Sequence, residues 1–265
     1  MMAKSGIRWN ETTVVVTGAS RGIGRAVAEH AARRGSRVGL IARSGDDLEA
    51  VLTAIGGRGA VAVADVSDRR QVNDAVASIE AELGPADVLV ANAGIGAYGP
   101  FADIDVDDIE RLVNVNLLGT VYPIKALLPG MIERGRGRIV VVASVAGRFG
   151  SPFEAAYAAT KFAQIGLAEA VSVEMAGRGV GVSIVNPGVV DTDFFEARGH
   201  RYDRPFPKPI TADRVAGTVM QAVEAGRGEW FVPRWFGSAV AVRHLAPRLY
   251  GWGTRRSFKD ELGVP

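Results

Sequence analysis

Cysteine is absent from this chain, so disulfides, thiolate nucleophiles and Cys-ligated metals are excluded before any motif is read. A reducing, intracellular compartment fits that absence, and the cytoplasm is the expected location. Histidine is nearly as scarce: His30, His200 and His244 lie far apart without ligand spacing, so no metal site is expected. Also missing is any uncharged apolar run near the ~20 residues of a membrane-spanning helix. The opening MMAKSGIRWNET has no apolar segment of signal-peptide type. The formal charge of +2 is too small to point to nucleic acid, but it is unevenly spread. From Arg227 onward, seven cations (Arg227, Arg234, Arg243, Arg248, Arg255, Arg256, Lys259) stand against three acids (Glu229, Asp260, Glu261), so that tail is +4 and the rest −2.

What is present is the composition of a globular protein, with 48% hydrophobic and 23% charged residues. Runs rich in Val, Ile and Ala recur at residues 13–18, 37–42, 60–65, 87–92, 138–144 and 181–188, each nearly all apolar rather than alternating. Such strands are buried on both faces, as happens where helices cover a parallel sheet. Between them lie helical patterns such as GRAVAEHAARRG and RQVNDAVASIEAELG, the second preceded by Asp68 as a candidate cap. The expectation is an α/β fold: one Rossmann-type, doubly wound parallel sheet with its ligand beyond the carboxyl ends of the strands. One domain is expected over residues 1–265, with a core at about 12–230 and an apolar, basic extension at about 231–265. The stretch 193–210 mixes aromatics, prolines and charges without period and reads as a long functional loop.

The first strand runs into TGASRGIG (Thr17 to Gly24) and then into a helix, so Gly18, Gly22 and Gly24 fall where strand becomes helix. Glycines there let backbone N–H groups and the positive helix end approach a pyrophosphate. The spacing G-x-x-x-G-x-G differs from the common dinucleotide fingerprint, and a glycine triplet alone is weak evidence. At the end of the second strand, where an acid would address ribose hydroxyls, stands Arg43. Arg43, with Arg21 in the glycine turn, suits a 2′-phosphate, so NADP(H) is expected over NAD. The competing reading makes both arginines solvated surface charges, with Asp46 and Asp47 neutralising Arg43.

Tyr157 and Lys161 sit in AAYAATKFAQIGLAEAV, a run of good helix formers, and their separation of four puts them on one face. An ammonium beside a phenol favours the phenolate, so the pair is expected to exchange a proton near neutral pH. Such a pair also arises by chance on solvated helices. Ser144, thirteen positions earlier at the end of the fifth strand, supplies the context.

The glycine spacing together with Ser144, Tyr157 and Lys161 resembles the classical short-chain dehydrogenase/reductase family, and the resemblance runs from about Thr13 to Thr192. It implies that Ser144 bonds the substrate carbonyl, Tyr157 supplies the proton and Lys161 also holds the nicotinamide ribose. Asn116 of NVNLLG takes the place of the family asparagine that holds a water linking the lysine to solvent. Implied cofactor contacts are Gly18, Ser20, Arg21, Gly22, Ile23, Gly24, Arg43, Asp65, Val66, Asn92, Ala93, Gly94, Tyr157, Lys161, Pro187, Gly188, Val190 and Thr192. A capping role for Asp65 and a turn role for Asn92 stay open. Pro123 departs from the pattern and should bend the helix that carries Asn116.

By analogy with the family, Tyr98, Phe149, Phe153, Phe194 and Phe195 line the substrate pocket, which favours a bulky apolar ketone or secondary alcohol. The segment from Trp235 reads as subunit packing, as a pocket wall or as a basic amphipathic patch for a peripheral membrane contact. The family resemblance implies a homodimer paired through the helix Ala155 to Met175, with a tetramer as the larger alternative. The function expected is reversible carbonyl reduction, and the alternative is a non-catalytic NADP-sensing module on the same fold.

Overall fold

The computed structural model describes residues 7–258. Six strands follow the apolar runs: β1 (Thr13–Thr17), β2 (Arg37–Ala42), β3 (Gly59–Val63), β4 (Val88–Ala91), β5 (Gly137–Val142) and β6 (Val180–Pro187). Two short strands, β7 (Val190–Asp191) and β8 (Ile210–Thr211), pair with each other. A further strand, β9 (Gly228–Val232), completes a parallel sheet of order β3-β2-β1-β4-β5-β6-β9. This last strand was not foreseen in GEWFV, where only Val232 is fully buried, because an edge strand needs no continuous apolar run.

Helices fill both layers. On one side pack α1 (Gly22–Arg33), α2 (Gly45–Ala54) and α8 (Ala212–Ala225); on the other pack α3 (Arg69–Leu83), α5 (Gly119–Glu133) and α6 (Ala155–Glu174). Along β1 the division is residue by residue. Val14 and Val16 enter the first layer's core and Val15 the second's, which is why the strand reads as uninterrupted valine. Asp68 caps α3 as expected, its carboxylate accepting from the N–H groups of Arg70 and Gln71.

α4 (Val106–Leu112) runs through a wider π turn, Val113–Leu118, into α5, which holds Pro123 and Pro129. The irregularity therefore precedes Pro123, at the turn that carries Asn116. By length and apolarity alone Val106–Glu133 would pass for a membrane-crossing helix, but Leu112, Ile124, Leu127 and Met131 are buried in the fold. The loop from residue 193 holds one short helix, α7 (Phe194–Ala197), and the chain ends in two helices, α9 (Trp235–Leu245) and α10 (Pro247–Ser257). Lys259, Asp260 and Glu261 lie outside the described residues.

Candidate active site

Strand order reverses between β1 and β4, and a cleft of about 1220 Å³ opens beyond the carboxyl ends of the strands there. At one end the glycine turn shapes it. Gly18 (φ 65°) and Gly22 (φ 55°) hold left-handed conformations that other residues rarely adopt. A β-carbon on Gly24 would stand 2.1 Å from the Gly18 carbonyl oxygen, so that glycine serves close packing under the turn, and unlike its neighbours it does not line the cleft. No side chain caps the N-terminus of α1, whereas Ser44, Asp68 and Thr211 cap α2, α3 and α8. A pyrophosphate fits this cradle: small residues, a helix end with donors left over, and a rim formed by Ser20, Arg21 and Ile23.

Arg43 and Arg21 both line this end, and among the described residues neither forms an ion pair, with Asp46, Asp47 or any other acid. Asp65 and Val66 border the same space. One oxygen of Asp65 accepts from the N–H of Ser67 at 2.9 Å and from its hydroxyl at 2.7 Å, so the residue closes a turn rather than capping a helix. Asn92 has a holding role: its side-chain amide donates to the carbonyls of Thr17 at 3.1 Å and Gly18 at 3.2 Å, tying β4 to the glycine turn. Ala93, Gly94, Pro187, Gly188, Val190 and Thr192 all line the cleft.

At the other end, Ser144, Tyr157 and Lys161 converge, and each is at least nine-tenths buried. Ser144 starts a turn after β5, its hydroxyl accepting from the Ala146 N–H at 3.1 Å, and it lines the same end of the cleft as the Tyr157 phenol. Lys161 donates to the Val142 carbonyl at 3.4 Å, and its Nζ lies 5.6 Å from the centre of the Tyr157 ring. Burial pushes the phenol well above its usual range, and the nearby Glu154 adds to this, against the lowering influence of the Ser144 hydroxyl and of Arg198. The expectation of a phenol shifted down toward neutrality is thereby overturned: desolvation outweighs a cation that does not touch the hydroxyl. Burial also pushes the Lys161 ammonium down to about 7.

Asn116 is fully buried and does not line the cleft. Its Oδ1 accepts from the Ile95 N–H at 2.8 Å, and its Nδ2 donates to the Ile95 carbonyl and to Thr160 Oγ1, each at 3.0 Å. Its main-chain carbonyl already accepts from Thr120 at 2.8 Å and from Gln164 at 2.7 Å, which fills both lone pairs. The protein thus binds the atoms that the water-holding role would use, and what Asn116 visibly does is pin the 95–98 loop to α6.

On the substrate side, Tyr98, Phe149, Phe194 and Phe195 line the cleft as expected, but Phe153 does not. At φ 63° it turns away and packs behind, 5.7 Å from the Tyr98 ring and 6.3 Å from Phe258. Sequence reading missed the pair beneath these rings. Arg198, with a side chain only 4% exposed, is bonded to Glu154 and stacks over Tyr98 and Phe195 at 4.7 and 4.5 Å. Two charges 44 residues apart carry no local signal. Of the three readings for the C-terminal segment, the pocket wall is realised, since Phe236, Ala239 and Tyr250 line the cleft.

The family model for short chain dehydrogenase matches residues 12–203. The chain belongs to that family. Among curated relatives, glycine betaine reductase ATRR of Emericella nidulans is 42% identical over 182 residues, 68% of this chain but 14% of that protein. Ketoacyl reductase HetN of Nostoc sp. is 39% identical, matched over 67% of this chain and 63% of its own. This short-chain dehydrogenase therefore spans less than two thirds of the length of either. The 3-oxoacyl-[acyl-carrier-protein] reductase FabG of Escherichia coli is 34% identical over 80% of this chain and 82% of its own. Among solved structures, a short-chain dehydrogenase/reductase from Burkholderia phymatum in complex with NAD superposes with a TM-score of 0.83 at 25% identity, covering 92% of this chain and 96% of that one. An alcohol dehydrogenase from Thermococcus sibiricus complexed with 5-hydroxy-NADP gives 0.75 at 29% identity, covering 83% and 95%. The relatives that carry this likeness are named as reductases and dehydrogenases, and the comparisons give no support to a non-catalytic sensing module.

Proposed function

We propose that this short-chain dehydrogenase is an NADP(H)-dependent carbonyl reductase acting on a bulky, largely apolar ketone. The convergence of Ser144 and Tyr157, both buried at the inner end of a cleft that begins at Arg43, carries the reading. A bound nicotinamide supplies the hydride. Ser144 and Tyr157 address one carbonyl oxygen with two O–H groups, which polarises it and offers a proton. A phenol held protonated by burial is an acid rather than a base, and this suits the reductive direction. Lys161, charged below about pH 7, stabilises the phenolate left behind and lies where a ribose would be held.

The choice of NADP(H) rests on Arg21 and Arg43, since the structural relatives were solved with NAD and with an NADP derivative alike. Reductase names among the relatives support the direction. Substrate bulk is supported by the aromatic walls at the inner end of the cleft, Tyr98, Phe149, Phe194 and Phe195. Two copies paired through α6, where Phe162 and Val173 face solvent, fit the same reading, as does residence in the cytoplasm. A screen of aromatic and long-chain ketones with NADPH against NADH is the test. No turnover of any ketone, or equal use of both cofactors, contradicts the corresponding half of the proposal.

A further inference from the structure

The 25 residues from Arg234 to Phe258 contain five arginines and no acid. They fold into the α9–α10 hairpin, which has two unlike sides. The inner side walls the cleft, with Phe236 and Tyr250 packed against Phe149 at 6.4 and 5.7 Å. The outer side exposes Val242 (45%), Leu245 (87%), Leu249 (59%) and Trp252 (56%). Single exposed apolar side chains are ordinary. Here four occur on one short hairpin among the exposed Arg248, Arg255 and Arg256, and Arg256 lies 5.7 Å over the Trp252 ring.

Each helix has eleven residues, too short to cross a bilayer, so the pattern is that of a segment lying in an interface. A second copy of the chain is the poorer occupant: pairing this patch with itself would set three exposed arginines against three with no acid between them. An anionic surface with an apolar interior complements both features at once. Arg243 ties the hairpin to the catalytic end of the sheet, since it donates to the Arg148 carbonyl in the turn after Ser144, and Arg148 is held to Glu229 of β9 by bonds of 2.8 and 3.1 Å.

We propose that the α9–α10 hairpin docks on an anionic lipid surface, with Leu245, Leu249 and Trp252 inserted among the headgroups. The clause that follows rests on the reductase reading: the cleft that this hairpin walls then receives its apolar ketone from the bilayer.

The test is sedimentation of the full-length protein with vesicles of phosphatidylcholine alone or of phosphatidylcholine with phosphatidylglycerol. Binding to the anionic vesicles at low salt should exceed that to the neutral ones by on the order of ten-fold and decline as salt rises. The triple change Leu245→Ser, Leu249→Ser, Trp252→Ser should abolish it while leaving turnover of a water-soluble ketone and the thermal midpoint unchanged, since none of the three lines the cleft. Brominated lipids should quench tryptophan fluorescence in the wild type and lose that effect with Trp252→Phe. Failure to bind anionic vesicles at low salt, or binding undiminished in the triple variant, overturns the proposal. Vesicle binding needs no turnover, so that failure is distinct from failure of the reductase assignment.

Discussion

Gly94 faces Lys161 so closely that a β-carbon there would stand 3.6 Å from Nζ, and 3.2 Å from Asn116 Oδ1. The glycine keeps open the space between the cofactor side of the cleft and the lysine. Gly94→Ala should push Asn116 back by a few tenths of an ångström, since only its Oδ1 lies in tight range of the new methyl, and lower kcat about ten-fold through the 95–98 loop that Asn116 pins. Steady-state kinetics beside a melting curve would show it; wild-type kcat would mean that the Asn116 position is not critical.

Removing the acid is the most direct probe of the chemistry. Tyr157→Phe keeps the ring against Phe194, 5.6 Å away between centroids, and should preserve NADPH binding by fluorescence titration. Ketone reduction should fall by roughly 10²–10⁴. Full activity in that variant would refute the assigned role.

Lys161 makes a prediction with two parts. Unfolded, its amine titrates near 10.4; folded, near 7, because burial penalises the charge. Between those values the unfolded chain binds a proton that the folded chain has shed, so stability drops as pH falls from above 10 toward 7 and is level below that. Lys161→Met should therefore be more stable than wild type by roughly 2–4 kcal/mol near pH 7, an advantage that fades toward pH 10. Denaturant titrations at several pH values measure it, and an advantage that grows with pH would contradict the sign. In the wild type, ketone reduction should decline as pH rises through about 7, as the ammonium that stabilises the phenolate is lost.

Arg43 tests the cofactor assignment. Arg43→Ala removes a charge-assisted contact worth ~1.5–3 kcal/mol, so Kd for NADPH should rise by about ten- to a hundred-fold while that for NADH stays put. Thermal shifts with each cofactor give the comparison. Equal losses for both would reassign the residue to a surface role.

Glu154 and Arg198 tie the substrate loop to the turn before α6. Arg198→Ala strands a partly buried carboxylate and opens the Tyr98–Phe195 stack, so it should cost about 3 kcal/mol and raise KM for bulky ketones more than for small ones. Denaturant midpoints together with KM across a ketone series provide the readout. A uniform KM change would place the pair outside the substrate path.

The layered sheet, the glycine turn and the Ser144, Tyr157 and Lys161 set were legible in sequence because each is a local pattern. Apolar runs report burial on both faces, left-handed glycines report a turn, and a spacing of four reports a helix face. What sequence alone determined is thus the fold, the family and the three side chains, Ser144, Tyr157 and Lys161, that meet at the inner end of the cleft.

Tertiary structure decided the rest. β9 joins the sheet through backbone bonds to β6 that demand little of its side chains. Phe153 is aromatic and adjacent to the cleft, yet its backbone turns it away. Asn116 keeps its place but spends its polar atoms on Ile95, Thr160, Thr120 and Gln164. The sense of the Tyr157 shift was reversed by desolvation, which depends on everything packed around the ring. A linear pattern records neighbours along the chain, whereas dielectric surroundings and distant partners exist only once the chain has closed on itself.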